Sequence, residues 1–301
     1  MNKTTSHKHS PMMRTVLCSA CVQLLLLALS ATGAPTPART SRWWFQTHTP
    51  EYTEQTVQLV RAHRDSITGV YMYAGLGIDA GGYFNSPSDA TTAAKVAPIV
   101  ALGVTTSIAL GIDQASVQNG TWRETGALAE AAALTARHNL TSLMVDYEPT
   151  TNITEAHARD YAAFITELAA ALHARGATLD MCVSSWSILD KFALYAPTGV
   201  DRMMTMAATY FGSNISKNED WVRQEQAQGV SPAQLSVGIG TMSDEPKWDY
   251  NWTEQSFRAF VGWSAAAGVR HIDIWRSDID TLNGTTAHWV YDAVAGFLEG
   301  P

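Results

Sequence analysis

Short strand-like runs alternate with helical patterns eight times along this chain, and that alternation constrains the fold more than any other feature. Residues 43–48, 67–73, 104–110, 141–147, 177–184, 201–207, 234–239 and 270–275 are apolar, β-branched or aromatic runs of strand length. Helical patterns follow over 53–64, 89–102, 121–138, 154–175, 219–228, 253–267 and 285–298, the weakest connection lying between the fifth and sixth strands. The longest helix has Thr154 at its N-cap and Gly176 just past its end. Alternating units of this kind pair in parallel through right-handed crossovers. Eight of them predict one (β/α)8 barrel over residues 43–301. A doubly wound open sheet is the competitor, but no Gly-x-Gly-x-x-Gly turn follows the first strand.

The first 34 residues predict a secretory signal: a basic lead (Lys3, Lys8, Arg14), an apolar run over 16–29, then small residues. That run is shorter than the roughly 20 residues needed to span a bilayer. Residues 35–42 read as a Pro/Thr linker. Removing the signal makes a formal charge of −8 more negative by three, which disfavours nucleic acid and anionic membrane as partners. It also removes Cys18 and Cys21, so Cys182 is left without an intrachain partner and reads as a small buried hydrophobe. Six Asn-x-Ser/Thr sequons beyond the signal (Asn119, Asn139, Asn152, Asn214, Asn251, Asn283) predict a glycoprotein of the secretory pathway, either secreted or held in a lysosome-like lumen. A monomer is expected, with no cofactor and no metal.

The chemistry is expected at the end of the fourth strand, where Leu143-Met-Val-Asp-Tyr-Glu148 is closed by Pro149. Alternation puts Met144, Asp146 and Glu148 on one face and Leu143, Val145 and Tyr147 on the other. Two acids on one face repel unless something uses or neutralises them. The bland reading pairs Asp146 with a cation and makes Glu148 the cap of the next helix. In a barrel of this class, however, active sites form at the C-terminal strand ends, so Asp146 and Glu148 would stand at the mouth. His48, Tyr73, Ser107, Trp186, Thr205, Tyr210, Asp273 and Trp275 are the other candidates near strand ends. Ten tryptophans are many for this length, and indoles at a barrel mouth suit the apolar faces of sugar rings.

The run ending in Asp146-Tyr-Glu148 resembles the fourth-strand signature of family 18 glycoside hydrolases, the chitinases and their relatives, Asp-Gly-x-Asp-x-Asp-x-Glu. Residues 106–110 are similar to the family's third-strand Ser-x-Gly-Gly segment, and residues 268–275 to its eighth-strand run ending in a substrate-floor Trp. The resemblance implies a carbohydrate substrate containing N-acetylglucosamine and substrate-assisted hydrolysis. Glu148 would protonate the glycosidic oxygen, while Asp146 would steady the substrate's attacking acetamido group. Tyr73, Trp186, Tyr210, Asp273 and Trp275 would bind substrate. Thr141 and Met144 stand where the signature has its first two Asp, so the lost proton relay is expected from Asp180 or Asp273.

Other chemistries remain open on the sequence. One is a retaining glycosidase whose nucleophile follows the seventh strand at Asp244 or Glu245; another is a chitinase-like lectin that binds glycan without cutting it. A third is a metal-dependent phosphodiesterase using His48, Asp146, Glu148 and His271.

Overall fold

The computed structural model describes residues 38–45, 49–149, 151, 153–184, 190–206, 212–241, 252–275 and 287–300. The expected signal lies outside them, as do His48, Trp186, Tyr210, Asp244, Glu245 and the sequons Asn152, Asn251 and Asn283.

Eight parallel strands close into a barrel: β1 (Thr40–Phe45), β2 (Gly69–Ile78), β4 (Thr105–Ile112), β5 (Ser142–Val145), β6 (Thr178–Val183), β7 (Arg202–Met206), β8 (Leu235–Gly240) and β9 (His271–Trp275). β1 closes the ring by pairing with β9 on one side and β2 on the other. The short β3 (Phe84–Asn85) lies outside the ring, antiparallel to the end of β2. Around the ring run α1 (Pro50–Ala62), α2 (Asp89–Val100), α3 (Gln114–Asn119), α4 (Ala127–Arg137) and α5 (Glu155–His173). They are followed by α6 (Phe192–Tyr195), α7 (Ile215–Ala227), α8 (Glu254–Ala266) and α9 (Ala287–Glu299). The chain is therefore the (β/α)8 barrel that its alternation predicts.

Local chemistry sets the helix starts. Thr49, Ser88, Thr154 and Thr253 each cap a helix by accepting a backbone N–H of the first turn, and Ser256 completes a capping box with Thr253. α5 buries Tyr161, Phe164, Ile165, Leu168 and Leu172, the stripe expected of a helix lying along a barrel wall. Trp43 points outward from β1 and stacks on Tyr291 of α9 at 4.5 Å.

Three boundaries differ from the sequence reading. β1 begins at Thr40, inside the expected linker, because Thr40, Ser41 and Arg42 pair with His271, Ile272 and Asp273. β2 continues past Tyr73, where the expected strand ends, to Ile78. Gly75, at φ +77°, takes up a register shift, and Leu76, Gly77 and Ile78 then pair with Leu110, Gly111 and Ile112. The helix expected over 121–138 begins only at Ala127. Ahead of it, Trp122 is buried edge-on against Phe164, and Gly126 turns the chain at φ +78°.

Alternation along the strands builds the barrel interior in layers. At the N-terminal end, Arg42 of β1 pairs with Asp180 of β6, and Arg202 of β7 grips both oxygens of Asp273 on β9. Ser142 donates to Asp180, Ser236 donates to Asp273 at 2.6 Å, and Arg202 also donates to Thr40 at 2.7 Å. Glycine makes room for these stems. A Cβ on Gly69 would lie 2.9 Å from the Arg42 side chain. The next layer is soft and apolar: Trp44, Tyr71, Ala109, Met144, Cys182 and Met204. Outside the ring, the outward strand residues and the helices share a second, larger core.

Breaking one floor pair leaves a charge buried without its counter-charge. Asp273→Asn is expected to cost about 3–5 kcal/mol in urea denaturation, and replacing Arg202 and Asp273 together with apolar residues to restore most of that loss.

Candidate active site

The acid-bearing strand is pinned on both sides by backbone pairing. Ser107 to Leu110 of β4 pair with Ser142 to Val145, and Thr178 to Met181 of β6 pair with the same four residues. That register sends Ser142 and Met144 into the barrel and Leu143 and Val145 out to the helices. Asp146 continues the inward row; its N–H donates to the Leu110 carbonyl at 3.3 Å. Asp146 and Glu148 are therefore placed as alternation requires, on the inner face at the C-terminal end of β5. Both side chains are half-buried.

Among the described residues no ion pair holds Asp146. The Tyr73 hydroxyl donates to its Oδ2 at 2.7 Å, and the Glu148 and Cys182 side chains lie beside it. Burial outweighs these contacts and pushes the Asp146 carboxyl above the usual range. Burial and then the Asp146 charge raise Tyr73, and the same two causes raise Cys182, so both remain neutral donors. Nor does Glu148 cap the following helix; Thr154 does.

Aromatic rings form the floor beside the acids. Trp275, half-buried at the end of β9, stands edge-on to Trp44 with centroids 4.9 Å apart. Tyr73 lies 5.4 Å from Trp44 and 6.4 Å from Trp275. Of the expected substrate-binding residues, Tyr73 and Trp275 are thus brought together with Asp146. Trp44, which supports both rings, was not singled out in the sequence because Trp43 beside it looks identical; only strand parity separates the inward indole from the outward one.

Several candidates stand elsewhere. Asp273 is fully buried in the floor, with both oxygens taken by Arg202 and Ser236, so the expectation that it binds substrate is corrected. Asp180 is held by Arg42 and Ser142. With the Met144, Cys182 and Met204 layer between floor and mouth, neither carboxylate takes the expected relay position. Tyr73 and Cys182 occupy the space against Asp146 instead. Ser107 belongs to the floor, bonded to Ser142, while Thr205 points outward to Glu225 of α7. His271 lies at the opposite end of the barrel from Glu148, against Thr40 and the Ala233 carbonyl, so it cannot join a metal site with Asp146. Among the described residues no three His, Cys, Asp or Glu side chains converge as metal ligands.

No protein-family model and no curated protein sequence matches the chain. Solved structures do. The C-terminal domain of a putative chitinase from Desulfitobacterium hafniense superposes with TM-score 0.70 at 14% identity, covering 87% of this chain and 100% of that one. What the two share is the (β/α)8 fold. The chitinase ChiB of family 18 from Flavobacterium johnsoniae gives TM-score 0.60 at 16% identity over 87% of this chain and 94% of its own. The Bacillus cereus spore cortex-lytic enzyme SleL gives 0.67 at 12% over 87% and 74%. At such identities the barrel fold is shared while the sequences are widely divergent.

Because folding raises the Asp146 pKa, its charged form costs stability once pH exceeds the unfolded value of about 4. Asp146→Asn is therefore expected to melt at a higher temperature than the native protein at pH 7. The difference should shrink as pH falls towards about 4, followed by calorimetry across that range.

Proposed function

We propose that the protein is a secreted glycoside hydrolase of chitinase-like type, acting on glycans that contain N-acetylglucosamine. The observation that carries this reading is the placement of Asp146 and Glu148 together at the C-terminal end of β5, beside Tyr73 and Trp275. In a barrel of this kind that is where chemistry occurs. The indole and phenol rings offer the apolar faces on which a sugar ring rests.

In the proposed reaction Glu148 gives its proton to the glycosidic oxygen as the bond from that oxygen to the anomeric carbon breaks. The carbonyl oxygen of the substrate's own acetamido group attacks the anomeric carbon from the other side, forming an oxazolinium ion. Asp146 accepts a hydrogen bond from the acetamido N–H and offsets the positive charge that develops. Water, deprotonated by Glu148, then opens the ring. No second carboxylate is needed as nucleophile, which departs from the usual paired-acid scheme. Tyr73, donating to Asp146, holds that carboxyl towards the sugar in place of the relay acid that Met144 displaces.

Supporting the secretory part of the reading are the signal-like segment over 1–34 and the sequons. Those within the described residues, Asn119, Asn139 and Asn214, are all exposed, and Asn139 precedes β5 at the far end of the barrel from Glu148. No helix among the described residues is long and apolar enough to cross a membrane. We further infer a monomer that needs no metal or cofactor.

Turnover of soluble N-acetylglucosamine oligomers, compared between the native protein and Glu148→Gln, tests the proposal. The variant is expected to lose about 10²–10⁴-fold in kcat while still binding the oligomer in calorimetry. Binding without turnover in both proteins would make the chain a glycan-binding lectin. Activity that survives Glu148→Gln would place the acid elsewhere.

A further inference from the structure

The backbone pairing that fixes β5 ends before the residue that matters most. The last rungs join Val145 to Leu110 and to Met181, and Asp146 adds one N–H bond to β4. Tyr147, Glu148 and Pro149 lie beyond the ladder. A proton donor has to sit within about 0.5 Å of its productive position, and a strand end past its last rung cannot supply that alone.

Tyr147 supplies an anchor on the other side. Its side chain points away from Asp146 and Glu148 and is only 4% exposed. The ring packs 4.7 Å from Tyr161, and the hydroxyl oxygen lies 2.6 Å from Nε2 of His157. His157 is fixed from two directions. Its backbone N–H donates to the Thr154 cap of α5 at 3.2 Å, and its Nδ1 lies 3.2 Å from the amide nitrogen of Gln118 on α3. With that amide donating to Nδ1, the ring proton sits on Nε2 and is given to the Tyr147 oxygen. Burial lowers the imidazole pKa, which keeps this neutral tautomer. The result is a chain of contacts from α3 through α5 to the one residue between the two acids.

We propose that Tyr147 and His157 are positioning residues that set the Glu148 and Asp146 carboxyls; the idea rests on the hydrolase reading above. Because neighbouring side chains on an extended segment point to opposite sides, a shift of Tyr147 moves both acids at once. Neither residue touches substrate, so the effect falls on the rate of the chemical step and not on binding.

The test compares Tyr147→Phe, which keeps the ring and removes the oxygen, with His157→Leu and His157→Gln. On a soluble N-acetylglucosamine oligomer, Tyr147→Phe and His157→Leu are expected to lose about 10–100-fold in kcat with KM changed by less than about twofold. His157→Gln, whose amide can still donate to the tyrosine oxygen, should recover most of the loss. A second readout needs no activity: the 13C carboxyl titration of Asp146, assigned with Asp146→Asn. In Tyr147→Phe that titration should move down towards an ordinary aspartate as the strand end loosens into solvent. An unchanged kcat, or a loss that His157→Gln shares in full, would overturn the proposal. So would an Asp146 titration identical to the native one. If the native protein cleaves no glycan, the hydrolase reading fails while the titration still decides whether the anchor exists.

Discussion

Side-chain alternation along eight parallel strands is the constraint on which this structure depends. Closing the sheet through β1 gives every strand an inner row and an outer row, and a polar group in the inner row is cut off from water until the strand reaches the mouth. The barrel resolves this by depth. Charges at the bottom are matched, two guanidinium groups to two carboxylates, each of which also accepts from a serine. Sulfur and aromatic groups fill the middle. Acids emerge only where the inner row of β5 reaches the open end.

The floor and the mouth are thereby made different in kind, although both contain aspartates. Asp180 and Asp273 are each paired with an arginine, so their charge is balanced. Asp146 has a phenol, a thiol and another carboxyl around it, none of which carries positive charge. Burial then raises its pKa instead of an ion pair lowering it. A carboxyl raised by burial can hold a proton nearer neutral pH; a carboxylate locked to arginine offers none.

Much of this was legible in the sequence because it follows from periodicity. The eight units, their parallel order and the shared face of Asp146 and Glu148 need only a period of two and a count of strands. What was hidden depends on contacts between distant strands. Arg42 lies in what reads as a linker, and nothing in the sequence pairs it with Asp180, 138 positions later. Asp273, two residues before an apparent floor Trp, looks like a site residue until Arg202 is seen across the barrel. The extension of β2 was masked by Gly75 and Gly77, which read as loop but serve a register shift and a continuing ladder. Tyr73 was expected to touch substrate; its bond to Asp146 arises because β2 and β5 flank β4 and both side chains reach the same space.

The most direct measurement is the configuration of the first product. Proton NMR of the anomeric signal, recorded within minutes of adding the protein to a soluble N-acetylglucosamine tetramer, reports it before mutarotation. Attack by the substrate's acetamido group followed by water makes two inversions, so the account predicts a β-configured new reducing end from a β-linked substrate. An α-configured product would mean that water attacks directly, and would contradict the arrangement of Asp146 and Glu148 argued here.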